Sequence, residues 1–552
     1  MSGTTIDAAA IAGAEAVAGV RYSDAERALM ADNLQAQVDM AVRRRAVPLP
    51  HDLPPATRFD PRPAGFSMPA AAPFRPAPVD PGPLPDRDED IAFAAVERLS
   101  GWIASRAITS ERLTGIYLDR IARIGPKLEC VALATPELAM KQARQADADL
   151  AQGRHLGPLH GIPYGAKDLL DTAGIATEWG AEPFAGRVPD RDAAVVRRLA
   201  EAGAVLVCKT TLGALAYGDI WSAGVTRNPW NPLEGSSGSS AGSGSATAAG
   251  LVGFSIGTET LGSIVAPSVR CGTTGLRPTF GRVARTGAMP LSWSLDKIGP
   301  MCRSVADTAL VLAAINGADA GDPSSIAAPF GFDASAPVAG LRVGWFPADF
   351  AEEGIHDLDR AALDHARALG LDLVELTRPD LPYDALMTVL YAEAAASFER
   401  LTLDDTDDKL TWQEAGAWPN SFRKARFLSA VDLVQADRLR TRIMRDMDAL
   451  FGQVDAMIGP CFAGPMLTIT NFTGHPCLAL RAGFRQSPTR KRLSLAEARL
   501  DQGEDGSGAQ FRVPHAISLW GRLFDEGTAL RIGAALEQRF GVAAERPPLD
   551  PL

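Results

Sequence analysis

Apolar residues recur at helical spacing along most of the chain, and short continuous apolar runs lie between these stretches. The helical spacing predicts helices at 91–107, 110–124, 136–150, 192–203, 381–401, 430–451 and 525–540. The short runs predict buried strands at 164–167, 204–210 and 251–256, and in GLRVGWF, LDLVELT and VDAMIGP. This alternation predicts an α/β fold, with a largely parallel or mixed central sheet covered by helices on both faces.

The start of the chain follows a different pattern. Residues 6–45 carry two helical patterns, and Ser23 or Asp24 is a suitable N-cap for the second. Between Pro48 and Pro85, proline is so frequent that neither a helix nor a central strand can persist. We therefore expect an extended connector that lies over the body of the protein.

These differences divide the chain into an N-terminal helical and proline-rich extension, residues 1–86, and a main domain, residues 87–552. The polar segment at about 483–510 is expected to be a surface hairpin or a mobile insertion, and its basic TRKR run is expected to be a solvated tip. The N-terminus lacks a basic region, and Asp7 and Glu15 interrupt its apolar residues, which argues against a secretion signal. No apolar run is long enough to span a bilayer, and we expect a cytoplasmic protein.

Composition narrows the class of ligand. The hydrophobic fraction of 46% and the charged fraction of 22% are typical of soluble globular proteins. The net charge of −11, without a basic block, argues against nucleic acid or a membrane surface as a partner. Six scattered cysteines predict buried thiols, and the seven histidines, including His155 and His160 beside a Gly-Pro turn, show no metal-ligand spacing. We expect no metal and no cofactor.

A stretch of small residues stands out in the middle of the chain. Every residue from Gly235 to Ser245 is Gly, Ser or Ala, yet the stretch is flanked by apolar segments. We predict a buried loop whose hydroxyl groups need hydrogen-bond partners, with a helix continuing through Ala246 to Ala249. A buried strand follows, and then a tight turn that ends at Ser263.

The turn suggests acyl transfer. Ser263 follows Thr260, Leu261 and Gly262, so it is presented to substrate beside backbone N–H groups that can stabilise an oxyanion. Serine needs a base, but no G-x-S-x-G elbow surrounds Ser263, and no histidine stands in a recognisable triad context. The remaining candidate is Lys167, at the end of a predicted buried strand, where desolvation and hydroxyl groups can keep it neutral.

At these residues the chain resembles the amidase signature family. The motifs are LHGIPYGAKD around Lys167, the serine-rich loop around Ser239 and GTETLGS around Ser263. Other segments of the chain are similar too, in chain order AGAVLVCKT before the serine-rich loop, and then CGTTGLRPTFGRV, SLDKIGPMCRSVADTALVL, NFTGHPCLAL and GRLFDEGTALRIGAALE. The resemblance covers most of the main domain but not the extension, and it implies the amidase signature fold.

The resemblance also implies a catalytic triad. Ser263 would be the nucleophile, Ser239 a serine after a cis peptide bond that passes the proton, and Lys167 the neutral base. The implied oxyanion hole consists of the backbone N–H groups of four residues, Thr260, Leu261, Gly262 and Ser263. The middle serine has three neighbouring alternatives, Ser236, Ser237 and Ser240.

The turn departs from the family pattern at three positions. Glu259 stands where the family usually has aspartate, and Leu261 replaces a usual glycine. Val265 replaces an arginine that many members carry, which suggests a neutral or apolar substrate. Arg270, a few residues later, is a candidate substitute for the missing charge.

Neighbouring residues leave several interpretations open. Lys209 resembles Lys167 but is expected to be structural, because one base is sufficient. Asp168 either tunes Lys167 or caps a helix. The candidates for the substrate pocket are Trp179, Tyr217, Trp221, Val265 and Trp293.

The sequence therefore predicts an amidase that hydrolyses a small, uncharged linear amide through a serine acyl-enzyme. Two alternatives lie within the family: the amidase component (A type) of a tRNA-dependent amidotransferase, and an allophanate or carbamate (urethane) hydrolase. A non-catalytic binding module on the same scaffold is more distant. Nucleotide binding by the glycine-rich loop is disfavoured, because the loop lacks the GxxxxGK[ST] motif. The expected partner is a small amide, and a homodimer through the extension is one assembly that the sequence allows.

Overall fold

The computed structural model describes residues 6–70, 72–490 and 508–549. Its α-helices are α1 Ala8–Ala18, α2 Asp24–Ala31, α3 Leu34–Arg45, α4 Asp88–Ala92, α5 Val96–Ala104, α6 Ser110–Leu128, α7 Pro136–Ala151, α8 Ala194–Glu201, α9 Ala241–Ala248, α10 Val265–Cys271, α11 Val305–Ile315, α12 Pro347–Phe350, α13 Asp357–Ala368, α14 Met387–Ser397, α15 Glu399–Leu403, α16 Trp418–Ala425, α17 Ala430–Phe451, α18 Met466–Thr473 and α19 Glu526–Phe540. Its strands are β1 Phe74–Arg75, β2 Val131–Ala134, β3 Pro163–Lys167, β4 Val205–Thr210, β5 Ile220–Trp221, β6 Gly224–Val225, β7 Arg227–Asn228, β8 Asn231–Gly235, β9 Phe254–Glu259, β10 Thr274–Arg277, β11 Lys297–Cys302, β12 Phe332–Asp333, β13 Arg342–Trp345, β14 Asp372–Glu375, β15 Ala456–Pro460, β16 Cys477–Pro488 and β17 Gln510–Gly521.

The described residues form one large mixed sheet of 11 strands, in the order β14, β13, β15, β17, β16, β10, β11, β9, β3, β4, β2. Strand β3 pairs in parallel with β4 and β9, whereas β11 pairs antiparallel with β9 and β10. The long strands β16 and β17 form an antiparallel pair. The predicted α/β fold with a central mixed sheet is confirmed.

Helices cover both faces of this sheet. Successive residues of β16 alternate between two cores, with Leu478 and Leu480 in one and Cys477 and Ala479 in the other. Helices α11, α13 and α19 contribute to the first core, and α17 and α18 contribute to the second. The sheet is therefore buried on both sides, as apolar runs such as β4 predict.

The N-terminal extension forms three helices and then an irregular connector. Ser23 caps α2, but the predicted second helix breaks at Asp32 and Asn33, so that α2 and α3 are separate. The connector lies on the main body: the ring centroid of Phe59 is 5.0 Å from that of Phe280, and β1 pairs with β12.

The segment predicted as a surface insertion is partly strand. Strands β16 and β17 pair as far as Pro488 and Gln510, so residues 483–488 belong to the large sheet. The TRKR run begins beside this pair, where Arg490 forms a 3.0 Å ion pair with Glu234 instead of lying in solvent. The rest of the predicted insertion, residues 491–507, lies outside the described residues.

The central stretch differs from its predicted boundaries. Helix α9 begins at Ala241, inside the stretch predicted as a loop. The next strand, β9, covers Phe254–Glu259, whereas the predicted strand covered 251–256. Leu251 and Val252 are buried in a turn, and a continuous apolar run does not distinguish a buried turn from a strand. Because β3 and β9 are parallel neighbours, their carboxyl ends place Lys167 beside the turn that follows Glu259.

Candidate active site

Lys167 lies at the carboxyl end of β3 and is completely buried. Its Nζ lies within hydrogen-bond distance of three hydroxyl groups, at 2.8 Å from Ser239, 3.0 Å from Ser240 and 2.9 Å from Thr258. As a neutral amine it donates to two of them and accepts from the third. Burial lowers the pKa of Lys167 well below its usual value, although Asp296 and Glu259 oppose this shift. A neutral amine held by hydroxyl groups is able to accept a proton.

The two serines beside Lys167 have different surroundings. The Ser240 hydroxyl donates to the Thr258 carbonyl oxygen at 3.0 Å and accepts from both the Thr258 N–H and Lys167. The Ser239 hydroxyl lies 2.8 Å from the Nζ of Lys167 and bonds to no other described residue, so it can donate its proton to the neutral amine. The peptide bond from Gly238 to Ser239 is cis, at the position that the family resemblance implies for the middle serine. Ser239 therefore has a proton to exchange, whereas Ser240 is fully engaged.

The turn after β9 is fixed by Glu259. Its carboxylate accepts from the N–H groups of Ile264 and Val265 at 2.8 and 2.9 Å, and it forms a 2.7 Å ion pair with Arg277. Burial by itself raises the pKa of Glu259, but Arg277 and Lys297 outweigh burial and lower it to about 2. The carboxylate therefore stays ionised and holds the start of α10.

Ser263 lies at the end of this turn, next to the serine-rich loop. Its carbonyl oxygen accepts from the Ser240 N–H at 3.1 Å, and Gly262 adopts a positive φ of 81°. Ser263 is 7% exposed, and its hydroxyl makes no hydrogen bond to another described residue. A free hydroxyl that retains some access is suited to attack a substrate.

Four consecutive N–H groups of the turn have no acceptor among the described residues. They belong to Thr260, Leu261, Gly262 and Ser263. The next two N–H groups are satisfied by Glu259. An unpaired row of donors at the start of α10 is suited to hold a developing negative charge, provided a substrate oxygen reaches it.

A cavity of about 710 Å³ leads to this region. Its lining includes Thr258, which contacts Lys167, and Thr260, which begins the turn. Ser239 and Ser263 are not among its lining residues. Trp179 and Trp293 line it, as the sequence predicts for a substrate pocket.

The structure places three other predicted pocket residues elsewhere. Tyr217 stacks on Trp412, with ring centroids 5.3 Å apart, and Trp221 lines a separate cavity of about 120 Å³. Val265, the first residue of α10, is completely buried in the core on the α17 side of the sheet. Arg270 does not line the large cavity either, and so does not replace the charge missing at Val265.

Most charged side chains along the cavity are paired with one another. The pairs are Arg187–Asp171 at 2.7 Å, Arg191–Asp190 at 3.5 Å, Arg197–Asp319 at 2.7 Å and Arg285–Asp322 at 3.0 Å. Lys297 differs, since its Nζ lies 3.4 and 3.5 Å from the carbonyl oxygens of Thr260 and Asn471 and pairs with no described carboxylate. Burial lowers the pKa of Lys297 well below its usual value.

Sequence reasoning missed residues that reach the site through strand pairing. Thr258 binds Lys167, and Asp296 accepts a 2.6 Å hydrogen bond from the hydroxyl of Thr260. Lys297 of β11 lies directly opposite Glu259 of β9 in the antiparallel pairing of these two strands. The charged Asp-Lys pair within SLDKIGP, at the start of a buried strand, was the available signal.

Lys209 and Asp168 interact with each other. Lys209 donates to the Leu170 carbonyl oxygen and the Thr177 hydroxyl, at 2.7 and 2.6 Å, and its Nζ is 3.4 Å from Asp168. Burial raises the pKa of Asp168 to about 6. Asp168 also accepts from the Glu178 N–H, so it neither tunes Lys167 directly nor caps a helix.

In the described part of the chain, no cluster of histidine, cysteine and acidic side chains is suited to bind a metal ion, and all six cysteines are buried free thiols. Nor does any described helix combine the length and apolar character that crossing a membrane requires.

Comparisons with known proteins agree with this geometry. The Amidase family model matches residues 112–482. The A subunit of glutamyl-tRNA(Gln) amidotransferase from Chloroflexus aurantiacus is 32% identical over 496 residues, covering 81% of this chain and 96% of that protein. The protein of the same name from Roseiflexus sp. (strain RS-1) is 35% identical over 465 residues, covering 78% and 93%.

Among solved structures, the native peptide amidase from Stenotrophomonas maltophilia superposes with a TM-score of 0.69 at 30% identity, covering 82% of this chain and 98% of that one. The predicted resemblance to the amidase signature family and its fold is confirmed. The chain belongs to the amidase family, and it is an enzyme that hydrolyses or transfers amides.

Proposed function

We propose that this chain is a serine amidase that hydrolyses a small, uncharged amide without a partner protein. The observation that supports the proposal most strongly is the buried Lys167, whose Nζ is 2.8 Å from the Ser239 hydroxyl beside the turn that carries Ser263. The row of unpaired N–H groups in that turn supports the same reaction.

In this mechanism the Ser263 oxygen attacks the amide carbonyl carbon. Its proton passes to the Ser239 oxygen as the Ser239 proton passes to the neutral Nζ of Lys167. The N–H groups of residues 260–263 hold the negative oxygen of the tetrahedral intermediate. Lys167 and Ser239 then return a proton to the leaving amine. The amine departs and leaves an acyl ester on Ser263. Water hydrolyses that ester by the same proton transfers.

The charges of the cavity favour an uncharged substrate. Its arginines are largely neutralised by carboxylates, as in the Arg187–Asp171 and Arg285–Asp322 pairs. Burial lowers the pKa of Lys297 and so disfavours its charged form. Val265 adds no charge to the site.

A second candidate comes from the relatives that are named as the A subunits of glutamyl-tRNA(Gln) amidotransferases. That function requires glutamine, which carries an α-carboxylate, and a receiving protein. Val265 offers no positive charge to bind this carboxylate. Among the described lysine and arginine side chains that line the cavity, Lys297 is the one without an ion-pair partner, and its Nζ contacts only carbonyl oxygens. Glutamine turnover that appears only after a partner protein is added would favour this candidate.

The test is hydrolysis of a panel of neutral, acidic and basic primary amides and anilides by the purified chain. We expect neutral amides to be preferred, and Ser263→Ala to lower kcat by at least about 10³-fold. Ser236→Ala is the matched control, because the Ser236 hydroxyl donates to the Ser237 carbonyl oxygen and not to the lysine cluster. A strong preference for acidic amides, or full activity of Ser263→Ala, would contradict the proposal.

A further inference from the structure

The N-terminal extension reaches the cavity that leads to the candidate active site. His51, Asp52 and Pro54 line this cavity together with residues of the main body, among them Trp179, which His51 contacts. The matched family model begins only at residue 112. Part of the wall of the candidate substrate pocket is therefore formed by a segment that the family model does not include.

The ring of His51 is wedged among aromatic side chains. Its centroid lies 5.4 Å from Trp179 in an edge-on arrangement, and 5.9 and 5.7 Å from Phe184 and Phe398. Trp179 and Phe184 are themselves in contact, at 4.4 Å. Contacts with three aromatic rings restrict the imidazole and hold it as part of the wall.

The extension is also anchored on both sides of His51. Before it, Arg44 of α3 forms a 2.5 Å ion pair with Glu399. After it, Phe59 lies against Phe280, and the guanidinium of Arg440 lies 3.4 Å from the ring centroid of Phe59. The position of His51 is thus determined by contacts at both ends of the segment.

We infer that His51 is a specificity-determining residue, which limits the size of the substrate group that enters the cavity. The inference rests on the proposed amidase function, because it assigns the cavity to the substrate. It gives the extension, residues 1–86, a role in substrate selection. A hydrophobic wall discriminates between substrates that differ by a few methylene groups by about 10–200-fold, and removal of one ring is a change of that order.

The experiment measures kcat/KM for two series of amides: primary amides with lengthening acyl chains, and acetamides with lengthening N-alkyl groups. We expect His51→Ala to raise the ratio of long-chain to short-chain kcat/KM by about tenfold in at least one series. His51→Trp, which enlarges the side chain, is expected to lower the same ratio. His51→Phe retains a ring and is expected to keep the wild-type ratio.

The matched control is Phe66→Ala, a substitution in the same extension. Phe66 packs against Phe524, with ring centroids 6.1 Å apart, and does not line the cavity. This variant is expected to keep the wild-type ratio, which separates loss of the wall from general loosening of the extension. Thermal unfolding of each variant verifies that it is folded.

The possible outcomes distinguish a failure of this inference from a failure of the proposed amidase function on which it rests. If the wild-type chain hydrolyses amides but neither His51→Ala nor His51→Trp changes the ratio in either series, the inference fails and the amidase proposal stands. If Phe66→Ala changes the ratio as much as His51→Ala, the inference also fails. If the wild-type chain hydrolyses no amide, the proposed function fails and the inference fails with it.

Discussion

Lys167 illustrates how burial prepares a side chain for catalysis. A lysine in water keeps its proton at neutral pH, and a protonated amine is unable to act as a base. Around Lys167 the protein supplies hydroxyl groups at 2.8–3.0 Å, which hydrogen-bond to the amine, but no carboxylate ion pair within the described chain that would neutralise an ammonium. The pKa is therefore lowered mainly by burial, with no neighbouring cation required.

This lowered pKa predicts a pH dependence. As the pH falls through the pKa of Lys167, its Nζ gains a proton and loses its capacity as a base, so kcat/KM should fall by about tenfold per pH unit on the acid side. That acid limb should lie well below the usual value for lysine, since the folded pKa is shifted downward. A pH profile of kcat/KM for a neutral amide measures it.

Lys167→Arg is the sharpest variant at this position. Arginine keeps a long cationic side chain but does not deprotonate in proteins, so this variant should lose at least about 10²-fold in kcat/KM throughout the accessible pH range. Lys209→Arg is the comparison at a second buried lysine, which contacts Leu170, Thr177 and Asp168 and not the serines. Activity of Lys167→Arg within tenfold of wild type would contradict the assignment of the base.

At the scale of elements, the site depends on close packing of α9 between strands. This helix is built from small residues, and a Cβ at Gly242 would lie 2.3 Å from the Cys130 carbonyl oxygen and 2.4 Å from the Thr211 nitrogen. Gly257 in β9 likewise leaves room for the Ser240 side chain, 2.8 Å from where its Cβ would lie. Small residues therefore bring the serine-rich loop against the end of β9.

Gly242→Ala should destabilise the protein by at least about 2 kcal/mol, because backbone atoms would have to move to accept one methyl group. Gly13→Ala in α1 is the matched control, since a Cβ there has nothing within 4 Å. It should be neutral or stabilising by up to about 1 kcal/mol. Chemical denaturation measures both, and equal effects of the two substitutions would contradict this account of α9.

Local signals explain why some elements are predictable. The predicted helix 430–451 coincides with α17, whose start is capped by Ser429, and the predicted strand 204–210 differs from β4 by one residue. Helix α9 was missed in part, because Gly and Ser disfavour helices unless close packing selects them. The intrinsic helix propensities of these residues carry no information about such tertiary packing.

The residues of the candidate site likewise divide into those with local sequence signals and those placed by tertiary packing. Lys167 and Ser263 are identifiable from local motifs at a strand end and a turn. His51 and Lys297 were not identified, because they approach the site from an extension and a neighbouring strand. Their positions depend on tertiary packing between distant parts of the chain, and the sequence pattern does not specify it.

At the scale of the whole molecule, the extension and the main body are joined through a buried cation. Arg440 of α17 donates to the carbonyl oxygens of Phe472 and Ser294, at 2.6 and 2.8 Å, and lies over the ring of Phe59. Burial lowers the pKa of Arg440 to about 10. The Phe59 ring thus covers a guanidinium that has left water, and this contact helps to hold the extension in place.

Phe59→Leu should therefore lower the free energy of unfolding by about 1 kcal/mol, through loss of the cation–π contact and of the contact with Phe280. Phe427→Leu is the matched control, because Phe427 is 66% exposed and should change stability by less than about 0.5 kcal/mol. Equal values for the two variants in urea denaturation would indicate that the extension is not held by this contact.

The central claim is that Ser263 is an activated nucleophile. Its most direct test is the intact mass of the wild-type chain and of Ser263→Ala after exposure to a small fluorophosphonate, followed by peptide mapping. We predict one adduct, on Ser263, and none on the Ser263→Ala variant, because Ser239 and Lys167 activate that serine. An adduct on Ser239, or no adduct on the wild-type chain, would contradict the account.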